Sequence, residues 1–262
     1  MEIMERTFHI LVTNDDGVTA PGLLALAQEL KSLARVTILA PDRNWSAAGH
    51  VKTMHRPLRV KEIELSDGTK ALTSDGAPSD CVALALLGVV EDIDLVVSGI
   101  NPNANLGYDV TYSGTVTAAM EAVIGDVPGL AVSLGSSGNH FRALDYQPAA
   151  RLARKVAERL LTGKVPRDVV YNLNVPDLPE DELGGLQVTR QGLRVYHDEL
   201  VSRKDPRGES YYWIGGEAPT GVPDKGTDIG ALAAGYASLT PLKLDLTAHE
   251  RLDRVQELFS PR

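Results

Sequence analysis

The 262-residue sequence contains one cysteine and no long apolar run. Because Cys81 stands alone, an intramolecular disulfide and a cysteine-rich zinc site are both excluded. No stretch approaches the roughly 20 apolar residues of a membrane span. The opening segment MEIMERTFHI also lacks the basic region and apolar run of a signal peptide. We therefore expect a cytoplasmic protein without a membrane partner.

Basic residues are fewer than acidic ones. Lysine and arginine number 26 against 35 aspartates and glutamates, which gives a net charge of −9. This charge disfavours a nucleic-acid polymer as the main partner, although a small phosphorylated ligand held through a metal ion remains compatible with it. The GxSxG motif of serine hydrolases is absent as well, so that class of hydrolase is disfavoured.

Apolar strand patterns alternate with amphipathic helix patterns along most of the chain. Strands are predicted over 8–13, 36–40, 58–65, 70–74, 94–100, 129–134 and 168–175, and helices over 21–33, 115–124 and 149–161. The segments 58–65 and 70–74 should form a hairpin. This order predicts an α/β fold with a Rossmann-like, doubly wound and mostly parallel sheet.

The pattern changes near residue 189. Charged and glycine- or proline-rich segments then alternate with Tyr211, Tyr212, Trp213 and Ile214, and a helix is predicted over about 248–259. We expect one domain over 1–262, with a core over about 7–188 and an arm with a β-hairpin and terminal helix over about 189–262. The exposed aromatic residues would be covered by a partner subunit or by the chain's own core, and both alternatives stay open.

Two adjacent carboxylates follow the first strand. Within a strand Asp15 and Asp16 would point to opposite faces, so they can serve one site only where the backbone bends, and Gly17 permits that bend. Neighbouring carboxylates repel each other, and a divalent cation such as Mg²⁺, Mn²⁺ or Ca²⁺ relieves the repulsion. An Asx turn that caps the next helix is the alternative.

Loops after two other parallel strands carry further oxygen ligands. Ser46 lies in PDRNWSAAGH, and Asn101 opens a long polar loop. Because ligands in open α/β sheets bind outside the carboxyl edge, these side chains should meet Asp15 and Asp16 there. Two carboxylates, a hydroxyl and an amide, together with water, approximate the octahedral shell that Mg²⁺ or Mn²⁺ prefers.

An anion pocket is predicted beside these ligands. Ser113, Gly114 and Thr115 precede or begin a helix, where free N–H groups and the helix dipole favour a phosphate. A plain Ser/Thr helix cap is the alternative. A cation beside a phosphate pocket is typical of phosphoryl hydrolysis, in which the metal neutralises charge and makes a bound water more acidic.

The chain contains several long motifs in a fixed order, namely VTNDDG with APG, PDRNWSAAGH, SGIN, and YSGTV with AAMEA. Together these motifs resemble the SurE survival protein family of metal-dependent 5′/3′-nucleotidases. The resemblance continues through YYW at 211–213 and SLTPLKLDLT at 238–247, so it covers nearly the whole chain. It implies hydrolysis of nucleoside 5′-monophosphates and 3′-monophosphates to nucleoside and phosphate, with short polyphosphate as a further substrate of some members. It also implies homodimers or homotetramers built with the arm.

The resemblance also assigns the site residues by position. One divalent ion per subunit, Mg²⁺ or Mn²⁺, would be held by Asp15, Asp16, Ser46 and Asn101. The substrate and its phosphate would be bound by Asn14, Asn101, Asn105, Ser113, Gly114 and Thr115. Asp15 or Asp16 would act as the catalytic proton acceptor.

Two positions depart from the family pattern. Ala47 and Asn103 stand where members commonly carry glycine. Neither change removes a ligand, but both can alter the backbone, since glycine takes positive φ at no steric cost. A function of another class is a noncatalytic, oligomeric nucleotide sensor that uses the same pocket.

Overall fold

The computed structural model describes residues 7–135 and 143–260. The strands are β1 (His9–Thr13), β2 (Arg35–Pro41), β3 (Val60–Glu64), β4 (Lys70–Ser74), β5 (Leu95–Asn101), β6 (Gly129–Gly135), β7 (Val169–Pro176), β8 (Leu186–Val188), β9 (Arg194–Lys204), β10 (Ser210–Gly221) and β11 (Ala237–Lys243). The α-helices are α1 (Pro21–Leu30), α2 (Pro78–Leu84), α3 (Gly114–Ile124), α4 (Gln147–Thr162), α5 (Asp228–Ala233) and α6 (Leu252–Phe259). Residues 1–6, which entered the expectation about a signal peptide, lie outside the described residues.

Nine of the strands form one sheet in the order β3-β4-β2-β1-β5-β6-β7-β11-β8. The neighbouring strands β4, β2, β1, β5, β6 and β7 are parallel to one another. The strands β3 and β11 run antiparallel to their neighbours β4 and β7, respectively. The predicted doubly wound, mostly parallel sheet and the 58–74 hairpin are therefore confirmed. The hairpin of β9 and β10 forms a separate two-stranded sheet.

Helices cover both faces of the sheet, which explains the continuous apolar run in β1. All five residues of β1 are buried. On one face Leu26 of α1 and Ala153 of α4 lie in the largest apolar cluster, and on the other Ala118 of α3 packs with Cys81 of α2. Cys81 is fully buried as a small apolar residue, and burial raises the pKa of its thiol.

The segment after residue 189 divides into parts with different surroundings. β11 returns to the main sheet between β7 and β8, and most of its residues are buried or half-buried there. The hairpin and α6 expose large apolar side chains, among them Trp213, Ile214, Leu258 and Phe259. A 3₁₀ turn over His249–Arg251 precedes α6, so the α-helix begins later than predicted. Among the described residues, no helix is long and apolar enough to cross a membrane.

Candidate active site

A cleft of about 460 Å³ lies where β1, β2 and β5 end at the carboxyl edge of the sheet. Such an edge is where open α/β sheets bind ligands. Six of the predicted site residues line it, namely Asp15, Asp16, Ser46, Asn101, Asn105 and Ser113. The structure therefore brings together side chains from three loops that are far apart in sequence. Tyr211, Tyr212 and Trp213 are not among the residues that line this cleft.

Asn14, predicted to bind the substrate, lies in the turn after β1. Its side chain is fully buried, and its Nδ2 donates to the Gly17 carbonyl at 3.0 Å while its Oδ1 accepts from the Gly17 N–H at 3.2 Å. The amide thereby closes the turn after β1, as in the Asx-turn alternative. A further bond from the Trp45 N–H to the Asp15 carbonyl, at 2.7 Å, ties this turn to the loop after β2.

The two carboxylates lie in a partly desolvated environment. Asp15 is 4% exposed, and burial raises the pKa of its carboxyl although hydrogen bonds from Thr115 and from backbone N–H groups oppose the shift. For Asp16, burial and then repulsion from Asp15 raise the pKa to about 7. Ionising both carboxylates is therefore unfavourable unless a cation is present.

The amino end of α3 points at Asp15. The Thr115 hydroxyl donates to Oδ1 of Asp15, and Thr115 is fully buried. Ser113 is the N-cap of the helix, because its Oγ accepts a hydrogen bond from the Val116 N–H at 3.1 Å. The plain helix cap, which was the alternative to an anion pocket, is therefore present. The amino end of the helix faces the Asp15 carboxylate, which is itself an anion when ionised.

Ser46 and Asn101 present oxygen atoms that are not used elsewhere. The Asn101 amide donates from Nδ2 to the Asn103 carbonyl at 2.5 Å. Its Oδ1 accepts no hydrogen bond from another described residue. The Ser46 N–H donates to Oδ1 of Asn44 at 2.7 Å, whereas its Oγ likewise lacks a partner in the described part of the chain. Together with Asp15 and Asp16 they form an all-oxygen donor set, which suits a hard divalent cation.

Asn105 is fixed by two residues that the sequence analysis missed. Its N–H donates to Oδ1 of Asn174 at 2.8 Å, and its carbonyl accepts from the amides of Asn172 and Asn174. Its own amide donates to Ser133 Oγ at 2.8 Å. Two asparagines at i and i+2 on a buried strand share one face, and that spacing in YNLNV was the available signal.

Glu121 of α3 anchors the loop after β2. Its carboxylate lies 3.0 Å from Nε2 of His50 and 2.9 Å from Nζ of Lys52, and it is 7% exposed. The hydrogen bond from His50 is the largest of the effects that lower the pKa of this carboxyl. His50 is therefore engaged with Glu121, and neither it nor His55 is among the residues that line the cleft.

Ala47, which stands where family members commonly carry glycine, has an unusual backbone conformation. Ala47 lies in the left-handed region with φ of 57°, whereas Asn103 is not among the described residues with positive φ.

We expect Ala47→Gly to raise the free energy of unfolding by about 1 kcal/mol, because alanine is strained in that region. Chemical denaturation checks this. Ala48→Gly is the matched control and should lower stability instead, by roughly 0.5–1 kcal/mol; equal effects of the two changes would contradict the expectation.

Comparison with known proteins supplies the family. Residues 10–198 match the family model described as "Survival protein SurE". Proteins named 5′-nucleotidase SurE from Herpetosiphon aurantiacus and Chloroflexus aggregans are each 51% identical to the chain, covering 95% of it and 96% and 98% of their own lengths. The crystal structure of the SurE protein from Aquifex aeolicus superposes with a TM-score of 0.81 at 37% identity, covering 96% of this chain and all of that one. The chain belongs to the SurE survival protein family.

Proposed function

We propose that this chain is a metal-dependent 5′-nucleotidase, a phosphomonoesterase that converts nucleoside 5′-monophosphates to nucleoside and inorganic phosphate. The observation that carries the proposal is the convergence of two neighbouring carboxylates, one buried and one half-buried, with free serine and asparagine oxygens in one cleft. Relatives about half identical over nearly their full lengths are named 5′-nucleotidases. Nucleoside 3′-monophosphates and short polyphosphate belong to the proposal as further substrates.

The proposed metal ligands are Asp15, Asp16, Ser46 and Asn101, holding one Mg²⁺ or Mn²⁺ per subunit. The fit rests on the donor chemistry, since all four side chains offer oxygen. Burial raises the pKa of both carboxyls, and a cation beside them would favour their ionised forms. Among the described residues no cluster of three or more histidines, cysteines or carboxylates competes for a metal. Such an ion, when bound, supplies charge neutralisation for the phosphate and a more acidic water.

The chain's own groups have separate proposed tasks. Thr115 and the amino end of α3 hold the Asp15 carboxylate in place. Asp16 has no hydrogen-bond donor among the described residues, so its carboxylate is the proposed acceptor of the attacking water's proton. Ser113 and Asn105, which line the cleft, together with the N–H groups of Gly114 and Thr115, form the proposed phosphate site.

The pKa of Asp16 leads to a pH-dependent response to metal. In the metal-free protein the folded state keeps a proton that the unfolded chain has lost, so stability falls as pH rises from about 4 to about 7. Metal binding needs the ionised carboxylates. We therefore expect saturating Mg²⁺ or Mn²⁺ to raise the melting temperature more at about pH 8 than at about pH 5.5. Thermal unfolding with metal or chelator measures this, and an equal rise at both pH values would contradict it.

The oligomer is proposed to be a homodimer or homotetramer in the cytoplasm, assembled through the hairpin and α6. Trp213 and Ile214 are 64% and 84% exposed, and such apolar side chains are usually covered in an assembly.

We expect Trp213→Ser with Ile214→Ser to shift the protein toward a smaller species in light scattering. Met54→Ser, at another exposed apolar position, is the matched control. An oligomer unchanged by the double replacement would contradict the interface. The division into a core over 7–188 and an arm remains part of this proposal.

Release of inorganic phosphate distinguishes the enzyme from the noncatalytic nucleotide sensor. The assay uses a panel of nucleoside 5′- and 3′-monophosphates with Mg²⁺ or Mn²⁺ present. The proposed function predicts turnover with at least the 5′-monophosphates. Nucleotide binding without phosphate release would favour the sensor.

A further inference from the structure

The cleft contains a basic side chain that is not among the residues predicted to bind the metal or the substrate. Arg194, the first residue of β9, is the one basic side chain among the described residues that line it, and the carboxylates of Asp15, Asp16 and Asp109 line the same cleft. Its Nε lies 2.8 Å from Oδ2 of Asp109, and the two side chains are 18% and 17% exposed. The base of the arm therefore supplies a mostly buried guanidinium to this cleft.

The carboxylate of Asp109 is held on both of its oxygens by one strand. Its Oδ1 accepts a hydrogen bond from the Tyr196 hydroxyl at 2.8 Å, while Oδ2 faces Arg194. Tyr196 is two residues after Arg194, so both side chains leave β9 on the same face. This arrangement fixes where the guanidinium lies relative to the loop after β5.

The same loop is joined to the base of the arm at two further points. The fully buried Asp228 accepts from the N–H groups of Gly107 and Gly192 at 2.8 and 2.7 Å. Gln191 donates from Nε2 to the Gly107 carbonyl at 2.8 Å. Arg194 is thus carried by a segment that is bonded to the active-site loop, and its position does not depend on a flexible side chain alone.

The guanidinium retains unused donor capacity. Its Nε is buried and makes no hydrogen bond of good geometry, although it lies close to Asp109. The closest approach to Asp109 is through Nε, which leaves the two terminal nitrogens for another acceptor. Arginine has five N–H donors in a planar fork that matches the oxygens of a phosphate. A phosphate dianion in the cleft would satisfy these donors.

We propose that Arg194 is a phosphate-binding residue of this site, and that Asp109 and Tyr196 are the residues that position it. The inference rests on the proposed function and adds a second cationic contact to the proposed metal. In phosphoryl transfer, negative charge on the non-bridging oxygens has to be stabilised, and a preorganised guanidinium does so. The arm then serves the reaction directly, in addition to any role in assembly.

The experiment compares the parent protein with Arg194→Gln, Arg194→Lys, Asp109→Asn and Arg190→Gln. Arg190 is the matched control, because it lies in the same segment but is exposed and does not line the cleft. For each variant we would measure kcat and KM with AMP and inhibition by inorganic phosphate and by adenosine. Binding of inorganic phosphate in the presence of Mn²⁺ would be measured by calorimetry.

Arg194→Gln should lower kcat/KM by about 100-fold, the size seen when one transition-state donor is removed. It should weaken phosphate binding and phosphate inhibition but leave adenosine inhibition unchanged. Arg194→Lys should recover part of the loss, since the charge remains but the fork is lost. Asp109→Asn should lose about tenfold or less, because the guanidinium is still present. Arg190→Gln should match the parent.

Other results would overturn the inference. If Arg194 only stabilises the arm through its ion pair, Arg194→Gln and Asp109→Asn would have equal effects, because either change breaks the pair. The inference would also be refuted if Arg194→Gln bound phosphate as tightly as the parent does. The proposed function would still stand in that case, provided that the parent releases phosphate from nucleotides. If the parent released no phosphate from any nucleotide, the proposed function would fail, while calorimetry would still decide whether Arg194 binds phosphate.

Discussion

Replacing Asp15 with asparagine is expected to abolish turnover while leaving the fold intact. Asparagine keeps the shape of the side chain and can still accept the Thr115 hydrogen bond, but it lacks the negative charge that a divalent cation needs. If the bound metal contributes several kcal/mol to the transition state, kcat should fall by about 1000-fold or more. Steady-state phosphate release measures the effect.

The same change has a defined effect on stability. Because burial raises the pKa of Asp15, a neutral side chain removes an unfavourable charge, so the metal-free variant should melt at the same or a higher temperature than the parent. Asp42→Asn is the matched control, since Asp42 is exposed in the loop after β2 and does not line the cleft. Activity of Asp15→Asn within about tenfold of the parent would refute the metal assignment.

Replacing Gly114 with alanine is expected to impair catalysis strongly although no proposed ligand is removed. A Cβ at this position would lie 2.7 Å from Cβ of Asp15, which is closer than two carbon atoms can approach. Either Asp15 or the amino end of α3 must move. A displacement near 1 Å at a reacting site lowers the rate by about 100-fold, so we expect a loss of this size in kcat/KM.

The other end of the same helix provides the control. At Gly125 an added Cβ meets Cδ1 of Leu86 at 2.6 Å, and that atom is the far end of a flexible side chain that can turn away. Gly125→Ala should therefore keep activity within about threefold of the parent, because the amino end of α3 is undisturbed. Equal activity losses at the two positions would show that the helix as a whole, and not its contact with Asp15, limits the reaction.

Most of the fold was predictable because its strongest signals are local. β1 and β5 are continuous apolar runs followed by polar turns, as strands covered on both faces require. Knowing that parallel strands end at one edge was then enough to bring Ser46 and Asn101 to the aspartates. β11 was not recognised as a strand of the main sheet, since its buried face carries the polar residues Ser238 and Thr240 and its pairing with β7 spans about 70 residues of sequence.

The missing parts of the site are those that depend on distant pairs. Arg194 contacts Asp109 although α3, β6, α4, β7 and β8 lie between them in the chain, and no local pattern marks that contact. Asn14 was assigned to the substrate from its place in VTNDDG, whereas its amide closes a turn with Gly17. A motif locates a functional loop, but it does not show which way each polar side chain in that loop faces.

The claim that a divalent metal in this cleft drives phosphate release is tested most directly by removing and restoring the metal. The protein is stripped with chelator, and phosphate release from AMP is followed before and after Mg²⁺ or Mn²⁺ is added back. We predict that the stripped protein is inactive and that one or both ions restore the rate in the parent but not in Asp15→Asn. Full activity in excess chelator would contradict the account.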